Sequence, residues 1–332
     1  MIFYLLALLW AYFITFLSPR LGLKISWVLA LPLVLFAALR GSSGKDTPAY
    51  IYRFHLGDFH FEDMLRIDSE PVLNLLIMLS RSVFGDSIEI FFGLYALLLT
   101  FAYIFIAKNI NDFRIYTFTI GPVFLIDGLT NGMRISLAYH VLLVGFALRQ
   151  HLVPYVLALA CHVTAVVPIF IRLYYKLSFL YLAGAAIFGL AALVVFEINP
   201  LYYFTESGRL VSKFEHYAVT ESTNWYSGIV DLSMLFLLIT LHVFYSKMPS
   251  SKRFLYILGA ILLCALLQIG IQESSAFVRI TKLIIIGLIC SEFFGQSTTK
   301  IPTHILILLG FGYSLNFMRQ VLMDPGVLPY GE

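Results

Sequence analysis

Residues 87–107, SIEIFFGLYALLLTFAYIFIA, form one continuous apolar run in which Glu89 carries the single charge. A helix needs about 20 mostly apolar residues to cross the hydrocarbon core of a bilayer, and this run has that length by itself. The same criterion predicts ten further spans, near residues 1–17, 24–39, 114–127, 130–148, 152–171, 176–197, 226–246, 253–271, 276–294 and 303–320. The sequence therefore predicts about 10–12 transmembrane or re-entrant helices.

The overall composition supports the same fold class. The chain has 332 residues, of which 60% are hydrophobic and 12% charged, with a mean hydropathy of +0.88. An ordinary soluble domain carries about 25% charged residues, so this chain has too few to cover a water-exposed surface. The long continuous runs also argue against a transmembrane barrel, whose strands are short and alternate in polarity. We therefore expect an all-α polytopic membrane protein that forms a single integral membrane domain over residues 1–332.

Several function classes are not supported by the residues. The net charge of +3 is small and dispersed, so binding to nucleic acid is not indicated. The stretch HLGDFHFED at 55–63 contains histidines and acids, but its spacing matches no standard metal site and a solvated loop explains it. The sequence contains no Walker loop and no nucleotide-binding or metalloprotease motif. We expect no metal and no cofactor.

Two longer polar stretches, 40–86 and 198–225, interrupt the apolar runs and are predicted to be outer loops. Lys and Arg residues in short loops prefer the cytoplasmic side. Arg20 and Lys24 therefore place the first turn inside and residues 40–86 outside.

The orientation of the later spans depends on the segment 152–171. Arg149 and the basic loop that contains Lys247 are both predicted to lie inside. Three full spans between them would give the wrong parity, whereas a re-entrant segment that folds back near His162 restores it. An irregular backbone at membrane depth must be buried in protein or line a wet cavity.

The stretch SEPVLNLLIMLSRSVF at 69–84 has an apolar stripe that is interrupted by Asn74, Ser80 and Arg81. This pattern predicts an amphipathic helix along the outer interface. Glu70 and Pro71 stand at its start, where an acid and a first-turn proline both suit a helix N-terminus.

With this topology the unusual polar residues gather on the predicted outer side. A charged group at the bilayer centre costs about 2.5–3.5 kcal/mol on insertion scales, so such residues usually face a bundle interior or a wet cavity. The candidate residues for binding an anionic substrate or a sugar are Arg40, Asn131, Arg134, Arg209, Lys213 and Arg279. The candidate catalytic residues are Asp46, Glu70 and His162.

Arg134 is the most specific of the binding candidates. Thr130 and Asn131 precede it by four and three positions, so all three share one helix face. A guanidinium at this place can hold a phosphate or diphosphate through two parallel hydrogen bonds. The structural alternative is an ion pair with Asp127, just across the predicted turn.

The other candidates also have structural alternatives. Arg40 and Arg279 lie at span ends, where arginine often extends its charge toward water. His162 is a candidate general base because imidazole titrates near neutral pH, although a single histidine on an apolar face is often a hydrogen-bonded structural residue. Glu70 and Asp46 are rival bases, with a helix N-cap and a solvated turn as their respective alternatives.

Five motifs occur in one order along the chain: LRGSSGKDTPAY at 39–50, SEPVLNLL at 69–76, LTNGMRISLAYHVLLVGFAL at 129–148, ACHVTAVV at 160–167 and FVRI at 277–280. Together they resemble the EpsG-like branch of the Wzy polysaccharide polymerases over most of residues 39–285. The chain departs from the pattern at Ile135, where the family often has glutamine, and at Val163, where a small or basic residue is common.

The resemblance implies a multi-pass enzyme of the bacterial inner membrane with its active site facing the periplasm. Such an enzyme joins oligosaccharide repeat units carried on undecaprenyl diphosphate into O-antigen, capsule or exopolysaccharide. It uses no nucleotide sugar, and its expected partners are the lipid-linked oligosaccharide, the bilayer, a flippase and a chain-length regulator of the same pathway.

Two other functions remain open from the sequence. One is a transporter or flippase of a lipid-linked or anionic solute, although such proteins often show internal repeats and paired interrupted helices. The other is a ligase that moves a finished glycan to a different acceptor.

Overall fold

The computed structural model describes residues 2–44, 46–56, 70–149, 152–176, 228–246, 249–273, 276–291 and 300–323. Every regular element in these ranges is a helix, which confirms an all-α polytopic membrane protein. The predicted span 176–197 and the predicted loop 198–225 lie outside the described residues, apart from Lys176.

The helices are numbered in chain order. They are α1 (Ile2–Leu17), α2 (Leu23–Ala38), α3 (Thr47–Leu56), α4 (Pro71–Phe84), α5 (Ile88–Lys108), α6 (Ile110–Phe118), α7 (Gly121–Thr130), α8 (Met133–Ala147), α9 (Leu152–Cys161), α10 (Val166–Lys176), α11 (Ile229–Tyr245), α12 (Ser250–Glu273), α13 (Ala276–Cys290) and α14 (Thr303–Met323). Among the described residues, three helices are long and apolar enough to cross a membrane, at Ile88–Lys108, Ser250–Gln272 and Thr303–Met323.

Many large apolar side chains on the helices are exposed in the isolated chain. Val28 and Leu35 on α2 and Phe311 on α14 are each more than half exposed. In water such surface would be unfavourable, whereas lipid tails cover it without cost. This distribution is typical of helices packed in a bilayer.

Two predicted spans are interrupted in the structure. The segment predicted at 114–127 consists of α6 and α7, which are separated at Thr119 and Ile120 just before Pro122. The segment predicted at 152–171 consists of α9 and α10, with a 3₁₀ turn at Val163–Ala165 between them. His162 is extended there (φ −164°, ψ 131°), so the helix is broken at this residue, whereas the re-entrant course of the segment stays a prediction.

The chain divides into two compact units, Met1–Val166 with Ile301–Glu332, and Val167–Lys300. In the first unit α5 is central and packs against α2, α4, α7 and α8. Buried polar pairs join its helices: Thr15 on α1 bonds Tyr103 on α5 at 2.5 Å, and Tyr116 on α6 bonds His140 on α8 at 3.0 Å. In the second unit α11, α12 and α13 pack on one another.

The helix predicted after Glu70 is present as α4, but two of the polar residues that interrupt its apolar stripe are buried. Asn74 and Ser80 are buried beside Leu73 and Ile77, whereas the exposed positions are mostly apolar. The structure also contains α3 within the predicted outer loop, a helix that the sequence analysis did not predict. Helices α3 and α4 together supply three of the side chains of the candidate site.

Candidate functional site

Glu70 has an unusual backbone conformation at the start of α4. It lies in the left-handed region (φ 58°, ψ 69°) directly before Pro71, although a residue before proline favours the extended region. A non-glycine residue held there costs about 1–3 kcal/mol, and such residues cluster at functional sites. Its side chain does not cap α4. Glu70 thus occupies the N-cap position without a side-chain capping bond, and the buried carboxylate has other partners.

Those partners are two arginines from different helices. Arg134, in the first turn of α8, donates from Nη1 to Glu70 Oε1 at 2.5 Å and to Oε2 at 2.6 Å. Arg53, in the last turn of α3, donates from Nη1 to Oε2 at 2.7 Å. Charge-assisted hydrogen bonds of this length are among the strongest in proteins. Glu70 thus accepts three of them and joins α3, α4 and α8.

Tyr50 supports the other side of Arg134. Arg134 Nε donates to the Tyr50 hydroxyl at 3.2 Å, and the guanidinium carbon lies 5.4 Å from the centre of the ring. The hydroxyl in turn donates to the backbone oxygen of Asn131 at 3.5 Å. Burial raises the pKa of Tyr50, an effect that Arg134 opposes and that Asp46 reinforces from within electrostatic reach. The phenol therefore remains a neutral hydrogen-bonding group.

His162 lies at the break between α9 and α10 and faces the same carboxylate. Its Nε2 is 3.7 Å from Glu70 Oε1, which is too long for a hydrogen bond but close enough for an electrostatic contact. Its Nδ1 lies 2.7 Å from Thr164 Oγ1 and accepts from the Thr164 backbone N–H at 3.2 Å. The ring thus caps the turn that follows it while its second nitrogen faces the site.

The stretch 39–50 contains neither of the two arginines that bind Glu70. It instead stabilises the turn between α7 and α8 that precedes Arg134. Arg40 is fully buried, and its Nη1 donates to the carbonyl oxygens of Leu129 at 2.5 Å and Thr130 at 2.9 Å. Its guanidinium also lies 3.8 Å from the centre of the Phe92 ring. A cation at these last carbonyls of α7 stabilises the negative end of that helix.

Gly44 and Thr47 complete this contact with the end of α7. Thr47 Oγ1 lies 2.7 Å from the Ser43 carbonyl oxygen and 3.3 Å from that of Thr130. Gly44 has φ +108°, and a Cβ there would meet Thr47 Oγ1 at 2.7 Å and Asn131 Oδ1 at 3.1 Å. The backbone at Gly44 can lie this close to the backbone at the end of α7 because residue 44 has no side chain.

Of the residues predicted to gather on the outer side, the structure places Arg134 in hydrogen-bond contact with Glu70 and His162 within 3.7 Å of the same carboxylate. Asn131 contributes its backbone oxygen, and its side chain donates to Asp127 Oδ1 at 3.3 Å. The ion-pair partner of Arg134 is Glu70, so the alternative pairing with Asp127 was wrong.

The remaining predicted site residues have different surroundings. Asp46 is half-buried near Tyr50, and Arg40 lies under the end of α7 as described above. Arg279 is exposed on α13 in the second unit. Arg209 and Lys213 lie outside the described residues.

Tyr50 and Arg53 were missed by the sequence analysis. They are three positions apart, which places them on one face of α3. This spacing would have indicated them if a helix had been predicted for residues 47–56. The stretch TPAYIYRFHL is too short and too polar to meet the criterion for a membrane span.

These features define a class of protein: an all-α polytopic membrane protein with a site of two guanidiniums, a carboxylate and an imidazole at the ends of its helices. The chain belongs to the EpsG family, whose model matches residues 24–331. The resemblance drawn from the five motifs is thereby confirmed, and membership indicates a polymerase-like role in polysaccharide assembly. The chain matches no curated protein and no solved structure.

Proposed function

We propose that this protein polymerises oligosaccharide repeat units carried on undecaprenyl diphosphate. The observation that carries the proposal is the pair of guanidinium groups of Arg53 and Arg134 that share the buried carboxylate of Glu70. An enzyme that releases a lipid diphosphate must stabilise the negative charge that develops on it, and fixed arginines do so at little reorganisation cost. Membership of the EpsG family supports the proposal, because it suggests a polymerase-like role in polysaccharide assembly.

The proposed reaction is a displacement at the anomeric carbon of one repeat unit. An acceptor hydroxyl at the non-reducing end of another repeat unit forms a new carbon–oxygen bond to this carbon. The bond from the carbon to the diphosphate oxygen breaks, and undecaprenyl diphosphate leaves with the electron pair. The hydroxyl proton passes to a base on the protein, and no nucleotide or metal takes part in these steps.

His162 is the first candidate for that base, with Asp46 and Glu70 as rivals. Three hydrogen bonds from arginines already occupy the oxygens of Glu70, so this carboxylate is the least suited to accept a further proton. For His162 to accept at Nε2, its own proton must move to Nδ1, which then donates to Thr164 Oγ1 at 2.7 Å and no longer accepts from the Thr164 backbone N–H. The imidazole then presents a lone pair on the side that faces the site.

The setting of the reaction follows the predicted topology. We place the site at the periplasmic face of the bacterial inner membrane, where lipid-linked repeat units arrive after a flippase has moved them. A chain-length regulator of the same pathway is the expected protein partner. The polymer, whether O-antigen, capsule or exopolysaccharide, depends on the sugars that the acceptor side of the site admits.

The decisive experiment uses the full-length protein purified in detergent and a single undecaprenyl-diphosphate-linked repeat unit. We expect a ladder of lipid-linked oligomers together with one released undecaprenyl diphosphate for each bond formed. A protein that makes no bond in detergent but moves the lipid-linked unit across vesicle membranes is a transporter. Transfer to a second, different acceptor without any ladder identifies a ligase, and either result overturns the proposal.

A further inference from the structure

The two arginines of the site are held unusually close to one another. Arg53 Nη1 and Arg134 Nη1 both donate to the same atom, Glu70 Oε2, at 2.7 and 2.6 Å. The two cationic nitrogens therefore lie no further apart than twice such a hydrogen bond. Like charges at this distance repel each other, so their proximity depends on the carboxylate between them.

The side chains of Arg53 and Arg134 are more exposed than the side chain of Glu70, to which both are bonded. The Glu70 side chain is 9% exposed, whereas the side chains of Arg53 and Arg134 are each 25% exposed. A ligand that approaches from the open side therefore meets guanidinium groups before it meets the carboxylate. Arg134 uses Nε and Nη1 for Tyr50 and Glu70, and within the described residues its Nη2 makes no hydrogen bond.

Arg53 and Arg134 also approach the carboxylate from different helices, α3 and α8. Their exposed edges consequently form two separate arms instead of one fork. A single phosphate can engage one arm fully, whereas two linked phosphates can engage both. Guanidinium groups suit this role because their donors match phosphate oxygens in pairs.

We propose that Glu70 is a positioning residue that aligns Arg53 and Arg134 as a two-armed site for the adjacent phosphates of a lipid diphosphate. The inference rests on the proposed function for the identity of that lipid. Glu70 neither accepts the substrate proton nor touches the reacting atoms. It holds the two cations at a fixed separation before the diphosphate arrives, so that little reorganisation is needed on binding.

This role predicts an effect opposite to that of simple electrostatics. Removal of a negative charge next to an anion site should tighten anion binding if the carboxylate only competes with the ligand. If the carboxylate positions the arginines, its removal lets two like charges move apart and weakens binding. Glu70→Ala and Glu70→Asp test this, since the aspartate keeps the charge but is one methylene shorter.

The measurement is the affinity of the detergent-purified full-length protein for farnesyl diphosphate and for farnesyl monophosphate, by isothermal titration. We expect Arg53→Gln and Glu70→Ala to weaken diphosphate binding about tenfold or more and monophosphate binding much less. Arg20→Gln is the matched control, because Arg20 is exposed in the turn between α1 and α2 and makes none of the contacts of Glu70. Its diphosphate affinity should equal that of the wild type.

Each outcome decides something. Tighter diphosphate binding by Glu70→Ala, or equal losses for both ligands in Arg53→Gln, would overturn the two-armed site. If Glu70→Ala does not fold, the quarter-exposed Arg53 still provides the test through its glutamine variant. If the variants lose diphosphate binding but the wild-type protein makes no polymer, the two-armed site is supported and the proposed polymerase is rejected. If Arg53→Gln polymerises at the wild-type rate, the two-armed site is rejected and the polymerase is supported.

Discussion

Arg134 donates from a single nitrogen to both carboxylate oxygens of Glu70, across 64 positions of the chain. One residue stands in the first turn of α8 and the other immediately precedes α4. Buried pairs of this kind stabilise proteins weakly, because the loss of hydration offsets much of the attraction. Their occurrence on a strained backbone, beside a second arginine and a histidine, is better explained by chemistry than by stability.

The first prediction concerns Arg134 and the length of the polymer. Arg134→Ala should leave the protein inserted in the membrane but abolish long-chain polymer, so that single repeat units accumulate on their acceptor. Arg134→Lys should recover only part of the activity, because a lysine cannot contact Glu70 and Tyr50 in the same fork geometry. Gel analysis of surface glycan in a strain that lacks the native gene measures the chain length.

Arg20→Ala provides the control for that experiment. Arg20 is exposed in the turn between α1 and α2, outside the contacts of Glu70. Its variant should give polymer of normal length at equal expression. Normal chain lengths in Arg134→Ala would remove this arginine from the mechanism.

The sequence was informative about the helices and about which residues are unusual. Long apolar runs fix α5, α12 and α14 because a bilayer requires that length, and Glu70–Pro71 correctly marked the start of α4. His162 interrupts an apolar run of the sequence, and α9 ends directly before it in the structure. These are local properties, and local properties can be read from neighbouring residues.

The partners of those residues could not be read in the same way. Arg134 was expected to face Asp127 because the two are close in sequence, whereas tertiary packing brings Glu70 to it instead. Arg40 was expected to bind substrate because it follows a span and precedes a polar stretch. Its contacts with Leu129 and Thr130 join positions 89 and 90 residues away, and no local pattern encodes them.

The second prediction separates a structural role of Arg40 from a role in substrate binding. Arg40→Lys should lower the free energy of unfolding by roughly 2 kcal/mol, because the lysine cannot satisfy both carbonyls of α7 and loses the contact with Phe92. The affinity of the folded fraction for farnesyl diphosphate should stay unchanged. Thermal unfolding in detergent and titration of the same sample measure the two quantities.

The exposed Arg20 supplies the comparison for Arg40. Arg20→Lys should leave both the unfolding temperature and the affinity at their wild-type values. A stable Arg40→Lys protein with weakened diphosphate binding would instead return Arg40 to the substrate site.

The third prediction tests the close approach at Gly44. Gly44→Ala should destabilise the protein by about 2–6 kcal/mol, because φ +108° is strained for alanine and the added Cβ overlaps the Thr130 carbonyl oxygen at the end of α7 as well as Thr47 Oγ1. Gly85→Ala separates the two causes, since Gly85 has φ +74° but no atom within 4 Å of an added Cβ. We expect a smaller loss there, of about 1–3 kcal/mol, from the backbone alone. Equal unfolding temperatures for the two variants would show that the contact with the end of α7 contributes nothing.

The fourth prediction concerns the proton of the acceptor hydroxyl. If His162 accepts it, both His162→Asn and His162→Gln should lower turnover about 10²–10⁴-fold, while the apparent affinity for the lipid-linked unit changes little. The asparagine can still accept from the Thr164 backbone N–H and so keeps the cap of the 3₁₀ turn. Its loss of activity therefore cannot be ascribed to a broken turn. Initial rates with the purified protein measure turnover and affinity separately.

Thr164 tests the tautomer that this role requires. Thr164→Val removes the acceptor that lies 2.7 Å from His162 Nδ1, so the ring proton has less reason to sit there, and turnover should fall about tenfold. Thr164→Ser keeps the hydroxyl and should retain the wild-type rate. If His162→Asn is fully active, the histidine serves only as the cap, and Asp46 then becomes the next residue to test, since the oxygens of Glu70 are held by its two arginines.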